Sequence, residues 1–264
     1  SMSQAFHQRH GRFIRLSNGG QTATRTRSFA HGLTFSAEPL RAGELFLIEV
    51  TQTESGWSGD LRVGITQVRP DAMPRLPKFA VPDLSSRFGR SYVRTVGGVA
   101  SSASSSSAAS PGAAAASSSS PSPLLRRRGN LVQSPCGLVH YPNLVPRHTL
   151  KRGTDTDKGA RIGVYFMPEQ GQGRDAEPDL ARLHLVVNGV DMGPDEQPFP
   201  YKDRDHFAVV DVYGKTKQVR IIPTCQRLPP LTDLCLLAIL RMYSNDEICR
   251  LPLPERIKLY ITAG

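Results

Sequence analysis

Covalent or metal chemistry in this chain would have to start from its seven histidines and four cysteines. His7, His10, His31, His140, His148, His184 and His206 are scattered. His7 and His10 are close together, but neither an H-E-x-x-H pair nor a Cys/His ligand spacing accompanies them. Cys136, Cys225, Cys235 and Cys249 form no C-x-x-C element. A nucleophilic thiol needs an exposed, electropositive setting. Cys235 and Cys249 stand among apolar residues instead, and nothing singles out the other two. Gly214-Lys215-Thr216 imitates the end of a phosphate loop, but Val209 occupies the position of the upstream glycine, and the segment reads as a β-hairpin. No Ser/His/Asp arrangement follows from spacing. The reading therefore predicts no catalytic residue, no metal site and no cofactor.

The chemistry that remains is non-covalent, and it concentrates at the end of the chain. Leu231–Tyr243 carries apolar residues at Leu231, Leu234, Cys235, Leu236, Leu237, Ala238, Ile239, Leu240, Met242 and Tyr243. Only Thr232, Asp233 and Arg241 are polar. A helix lying on one core shows one apolar stripe and one wet face. This segment is apolar nearly all round, so it needs cover from more than one side. It is too short for a bilayer, which takes about 20 apolar residues. Either the chain's own front part or a partner protein supplies that cover. Pro229-Pro230 suit a first helical turn. Ser244-x-x-Glu247 is a capping box for a second short helix. Pro254 opens a third, with Ile257 and Ile261 on one face, after a stiff, extended Leu251-Pro252-Leu253-Pro254.

Leu231, Cys235 and Ile239, at i, i+4 and i+8, share a helix face. With Pro230 before them and the LPLP segment after them, they resemble the elongin-binding box and the LPxP cullin box of the SOCS-box proteins. The resemblance implies an elongin C-binding surface of Leu231, Leu234, Cys235, Ala238 and Ile239 within residues 230–240, with elongin B accompanying elongin C. It also implies contact between Leu251, Pro252, Leu253 and Pro254 and a cullin, cullin five with its RING subunit being the scaffold linked to LPxP.

These docking segments need a scaffold in front of them. The chain has 264 residues, enough for one large domain and a small one. No stretch of about 18 apolar residues and no apolar leader appears, so we expect neither a signal peptide nor a membrane span. Free thiols and a cytoplasmic setting are expected with them. The net charge of +10 lies entirely in the front part, because acids and bases balance from Leu231 onward. That excess favours acidic partners: an acidic protein segment, an anionic lipid surface or nucleic acid. Aromatics make up only 7% and no base-reading motif is present, which argues against nucleic acid. A basic adaptor at membrane surfaces, using Arg25, Arg27 and Arg126–Arg128, is the alternative to a protein-recognition role.

The front part reads as short strands separated by turn signals. They are Phe13–Ser17, Thr22–Phe29, Leu33–Ser36, Glu44–Gln52, Leu61–Val68, Arg161–Met167, Leu183–Val187, Val190–Met192, Phe207–Tyr213 and Gln218–Ile222. Glu44–Gln52 is apolar enough to be central. Asn188-Gly189 suits a type I′ hairpin. Glu44–Gln52 with Leu61–Val68, and Phe207–Tyr213 with Gln218–Ile222, read as further hairpins. Arg25 and Arg27 are expected on one half-exposed strand face. Trp57 stands in the loop between Gly56 and Gly59. All three are candidate target-binding residues; loop packing and a solvated strand face are the plainer readings. Pro70–Pro82, with four prolines, breaks regular structure. Residues 97–123 are nearly all Ser, Ala, Gly and Pro and cannot bury a core, so disorder is expected there.

The stretches FHQRHGRFIRLSNGGQTATRTRSFAHGLTFSAEPLRAGELFLIEV, GWSGDLRVGIT, LHLVVNG and FAVVDVYGKTKQVRI resemble the neuralized homology repeat. The resemblance implies an antiparallel, SPRY-like β-sandwich over residues 5–222 that binds target proteins, followed by a three-helix SOCS box over 228–262. Together these imply a non-catalytic substrate-recognition subunit of an elongin–cullin RING ubiquitin ligase. The zinc ligands of the RING domain that many neuralized relatives carry are missing from this sequence.

Overall fold

The computed structural model describes residues 4–96, 126–128, 131–134, 137–147, 155–169, 179–202, 204–224, 235, 238–239 and 242–262. Its strands, in chain order, are β1 Ile14–Ser17, β2 Thr22–Arg25, β3 Leu33–Phe35, β4 Phe46–Thr53, β5 Arg62–Thr66, β6 Ser91–Thr95, β7 Arg126–Arg128, β8 Leu131–Ser134, β9 Gly137–His140, β10 Arg161–Pro168, β11 Leu180–Val187, β12 Val190–Pro194, β13 Phe199–Pro200, β14 Phe207–Asp211 and β15 Thr216–Ile222. Every strand pairing is antiparallel. One sheet runs β1-β2-β15-β4-β10-β11-β12, with β13 beside β11. A second runs β3-β14-β5-β6 and a third β7-β8-β9.

The expected antiparallel sandwich is what the two larger sheets build. Period-two alternation sends Phe46, Ile48, Val50, Ile162, Val164 and Ile221 to one face of the first sheet. There they meet Val63, Ile65, Ala208 and Val210 of the second. Both sheets are covered outside as well. On the far face of the first, Leu45, Leu47, Tyr165 and Val186 pack against Val132, Val139 and Leu144. On the far face of the second, Leu33, Phe35 and Val209 pack against Met73, Ala80 and Leu84. Double cover explains why β10 and β14 are apolar on both faces.

The central position of Glu44–Gln52 holds: β4 lies between β15 and β10. The Asn188-Gly189 hairpin also holds, with φ of +51° and +88° at its two turn residues. A buried polar triangle locks it: Tyr165 donates to Asp191, and His184 Nδ1 lies 3.2 Å from Asp191 Oδ1. Burial pushes the Tyr165 hydroxyl far up, and its bond to Asp191 adds to that, so it stays neutral. Two expected hairpins are corrected. β4 and β5 lie in different sheets, and so do β14 and β15; their connections cross between the layers. The segment 126–147 is a second correction by addition. It supplies three strands and a helical turn, Tyr141–Leu144, that the sequence reading did not assign. The expected disorder of 97–123 lies outside the described residues.

Candidate functional site

Three crossings between sheets meet at one end of the sandwich: 26–32 after β2, 54–61 after β4 and 212–215 after β14. The segment 76–82 joins them, and the His31 N–H donates to Lys78 O at 2.8 Å. Four rings gather there. The Phe29 centroid is 5.3 Å from that of Trp57, 6.0 Å from Phe79 and 6.1 Å from Tyr213. Arg62 stacks over the Tyr213 ring, its guanidinium carbon 4.0 Å from the centroid. Phe29 and Trp57 remain 37% and 40% exposed, which leaves aromatic surface open to solvent.

The cluster is braced from inside. Arg25 is fully buried and donates from Nη2 to Gly214 O at 2.6 Å and Thr216 O at 3.1 Å. Its guanidinium lies 3.5 Å from Glu54. Glu54 also takes bonds from Lys217 and from the Trp57 indole N–H. Lys217 foremost holds the Glu54 carboxyl below its usual range, against the effect of burial. Asp211, also fully buried, accepts from the Ala80 N–H at 2.8 Å and lies 3.7 Å from Arg62. Arg62 in turn donates to Val81 O at 3.0 Å. These two side chains fasten the 79–82 segment, and with it Phe79, to the sheet.

Glycine is required twice in this end. Gly59 (φ +93°) lies flat under Tyr213, where a Cβ would come within 2.4 Å of Cε1. A Cβ on Gly214 (φ +58°) would stand 2.1 Å from Gly59 O. Gly214→Ala meets backbone on one side and an unfavourable φ on the other. We expect a loss of roughly 2–3 kcal/mol in urea denaturation.

Burial lifts the Asp211 carboxyl to about 6, while the Ala80 N–H, Arg62 and Arg25 oppose the rise. A folded-state value above the unfolded 3.8 means that folding takes up a proton. The associated stability is complete below about 4 and is lost as pH rises through about 6, roughly 3 kcal/mol in all. Asp211→Asn removes this slope, and urea midpoints at pH 4 to 7, compared with the parent chain, measure it.

Of the candidate residues, Trp57 and Arg27 are at the surface of this end. Arg25 is a correction. β2 stops at Arg25, so Arg27 lies beyond the strand, and Arg25 turns inward to satisfy the carbonyls of the 213–216 turn. Phe29, Phe79, Tyr213 and Arg62 were missed. The rings of these loops, such as Phe29 in SFAHGL, follow no period, so only their shared position at crossings reveals them.

The tail presents a different surface. Cys235, Ala238, Ile239 and Met242 are helical and stand at i, i+3, i+4 and i+7, one side of a helix. Cys235 and Ala238 are exposed, Ile239 is half-buried and Met242 is 70% exposed. Leu231 and Leu234 lie outside the described residues. The capping box forms: Ser244 Oγ accepts from the Glu247 N–H at 3.4 Å, and the Ser244 N–H donates to Glu247 Oε2 at 2.7 Å. It opens the helix Asn245–Arg250. The helix Glu255–Thr262 follows Pro254 as expected. Leu251 is extended (φ −65°, ψ 148°), with Leu251 and Leu253 half-buried and Pro252 and Pro254 exposed. Among the described residues no cluster of His, Cys, Asp and Glu could hold a metal ion, and no helix is long and apolar enough to cross a membrane.

The family model described as Neuralized matches residues 6–223, nearly the whole of this sandwich. The chain belongs to the Neuralized family. It is 34% identical to Neuralized-like protein 2 of Mus musculus over 271 aligned residues, covering 96% of this chain and 89% of that protein. The E3 ubiquitin-protein ligase NEURL3 of Homo sapiens is 41% identical over 85 residues, 31% of this chain and 32% of that one. The crystal structure of the Drosophila melanogaster neuralized NHR1 domain superposes with a TM-score of 0.53 at 20% identity, over 85% of this chain and all of that one. This last likeness establishes a shared fold. The family model ends at residue 223, whereas the alignment with Neuralized-like protein 2 covers 96% of the chain and so extends into the tail.

Proposed function

We propose that the chain is the substrate-recognition subunit of an elongin B–elongin C–cullin five RING ubiquitin ligase, and that it does no covalent chemistry itself. The observation that carries the reading is the apolar stripe Cys235, Ala238, Ile239 and Met242, left open on a helix that precedes a capped turn and the LPLP segment. A stripe of that kind costs free energy in water unless a partner covers it. The family supports the remainder, since relatives of this sandwich include proteins named as E3 ubiquitin ligases. In this reading Leu231, Leu234, Cys235, Ala238 and Ile239 seat in elongin C, and Leu251, Pro252, Leu253 and Pro254 touch the cullin. The sandwich holds a target beside the charged ubiquitin-carrying enzyme. The gain is effective concentration: tethering makes ubiquitin transfer nearly intramolecular.

Affinity purification of the full chain from cells, read by mass spectrometry, tests the assignment. Elongin B, elongin C and cullin five are expected together. The double change Leu251→Ala, Pro252→Ala keeps both elongins and reduces cullin five by tenfold or more. Equal loss of all three would remove the division of labour between the two segments, and absence of elongins from the parent chain would remove the proposal.

A further inference from the structure

We infer that the aromatic end of the sandwich takes, as its target, a short acidic segment that carries an apolar side chain between its carboxylates. The inference rests on the adaptor reading above and specifies what that adaptor holds. Two features of the end carry it. Phe29 and Trp57 offer open ring surface whose position is fixed from below by Tyr213, Arg62 and Glu54. Rigid aromatic surface of this kind is where apolar anchors gain most on burial. Around it the charge is one-sided. Arg12, Arg27 and Lys78 are exposed, and among the described residues none of the three has a carboxylate partner.

Three acids of this end are committed elsewhere. Glu54 serves Lys217, Arg25 and Trp57; Asp60 pairs with Lys215 at 3.0 Å and accepts from Thr156; Asp211 is enclosed. Asp83, half-buried beyond the 79–82 segment and close to Asp211, is a further acid, yet none of these carboxylates pairs with Arg12, Arg27 or Lys78. His31 reports the resulting field, since burial, Arg12 and Lys78 all push its protonated form down. A lipid headgroup or a nucleic-acid phosphate would answer the charge but leave the rings unused. A peptide with carboxylates flanking an apolar residue answers both.

The probe is the synthetic peptide acetyl-Glu-Glu-Leu-Phe-Glu-Glu-amide with a fluorescent label, titrated against the full chain. Its counterpart with every Glu replaced by Lys is the control. The acidic peptide is expected to bind and the lysine peptide to bind tenfold more weakly or worse. Arg27→Glu with Lys78→Glu should weaken the acidic peptide at least tenfold, and so should Trp57→Ala. Arg27 and Lys78 are exposed, so the unfolding midpoint of that double variant should stay within a degree or two of the parent; Trp57→Ala also gives up its contacts with Phe29 and Glu54, so its binding is compared at equal folded fraction. Bound carboxylates should also raise the titration midpoint of His31, followed by NMR. Equal binding of the two peptides, or undiminished binding by the variants, would overturn the inference. So would retention of phosphatidylserine vesicles or single-stranded DNA by an end that ignores the acidic peptide. Elongin capture is the separate readout for the adaptor role: the same variants should leave it unchanged, so the two readings can fail independently.

Discussion

On the proposed adaptor role, Leu231→Ala is expected to lower the affinity of the chain for an elongin B–elongin C pair by roughly 30- to 1,000-fold, about 2–4 kcal/mol, and to leave the unfolding of the sandwich unchanged. The size follows from position. Leu231 stands four positions before Cys235 in the sequence, and Cys235 opens a stripe that continues through Ala238, half-buried Ile239 and exposed Met242. Of these side chains, leucine has the large, branched shape that fills a pocket; cysteine and alanine let a partner's surface approach closely. Truncating the anchor removes buried area and leaves a void in the partner. Met242→Ala, at the far end of the stripe, should cost less than about 1 kcal/mol, because an unbranched side chain at a rim is easily replaced. Surface plasmon resonance with purified elongin B–elongin C measures both. A loss from Leu231→Ala no larger than that from Met242→Ala would mean that the anchor lies elsewhere.

How far the sequence discloses such a molecule depends on the range of the interaction involved. Signals within a few residues were legible: Asn188-Gly189 makes its hairpin, Ser244 and Glu247 make their box, and Pro254 starts its helix. Burial on two sides was legible in β4 because apolar residues on both faces need cover on both. The crossings were not. A glycine-rich loop between two strands looks the same whether the second strand returns beside the first or enters the other sheet. Gly56, Gly59 and Gly214 specify backbone angles and say nothing of strand partners. The candidate site depends on those crossings, so its ring cluster could not be assembled in advance; Trp57 was found only because its loop stood out. The strands Leu131–Ser134 and Gly137–His140 were also passed over: each is only four residues long, too short to show a period, and the cover that Val132 and Val139 give the first sheet is a long-range contact. Arg25 shows the same limit at one residue. Its alternation with threonine resembles a wet strand face, while its carbonyl partners at Gly214 and Thr216 lie about 190 positions further along the chain.

Arg25 therefore makes the sharpest contrast with Arg27. Arg25→Ala is expected to destabilise the fold by about 3–5 kcal/mol, whereas Arg27→Ala should stay within about 0.5 kcal/mol of the parent. The buried guanidinium satisfies two carbonyls of the turn and lies beside Glu54, and its removal strands all of them at once. The deficit should also vary with pH in a definite sense. Arg25 is one of two cations that favour the ionised form of Asp211, Arg62 being the other. At pH 5 Asp211 is largely protonated, and losing Arg25 removes little from that interaction. At pH 7 it is ionised, and the loss is felt in full. The stability difference between parent and Arg25→Ala should consequently widen from pH 5 to pH 7, while Arg25→Lys, which keeps the charge without the fork of donors, should narrow the widening more than it repairs the deficit at pH 5. A difference independent of pH would show that Arg25 acts on the 213–216 turn alone, and that Asp211 is steadied by Arg62 without it.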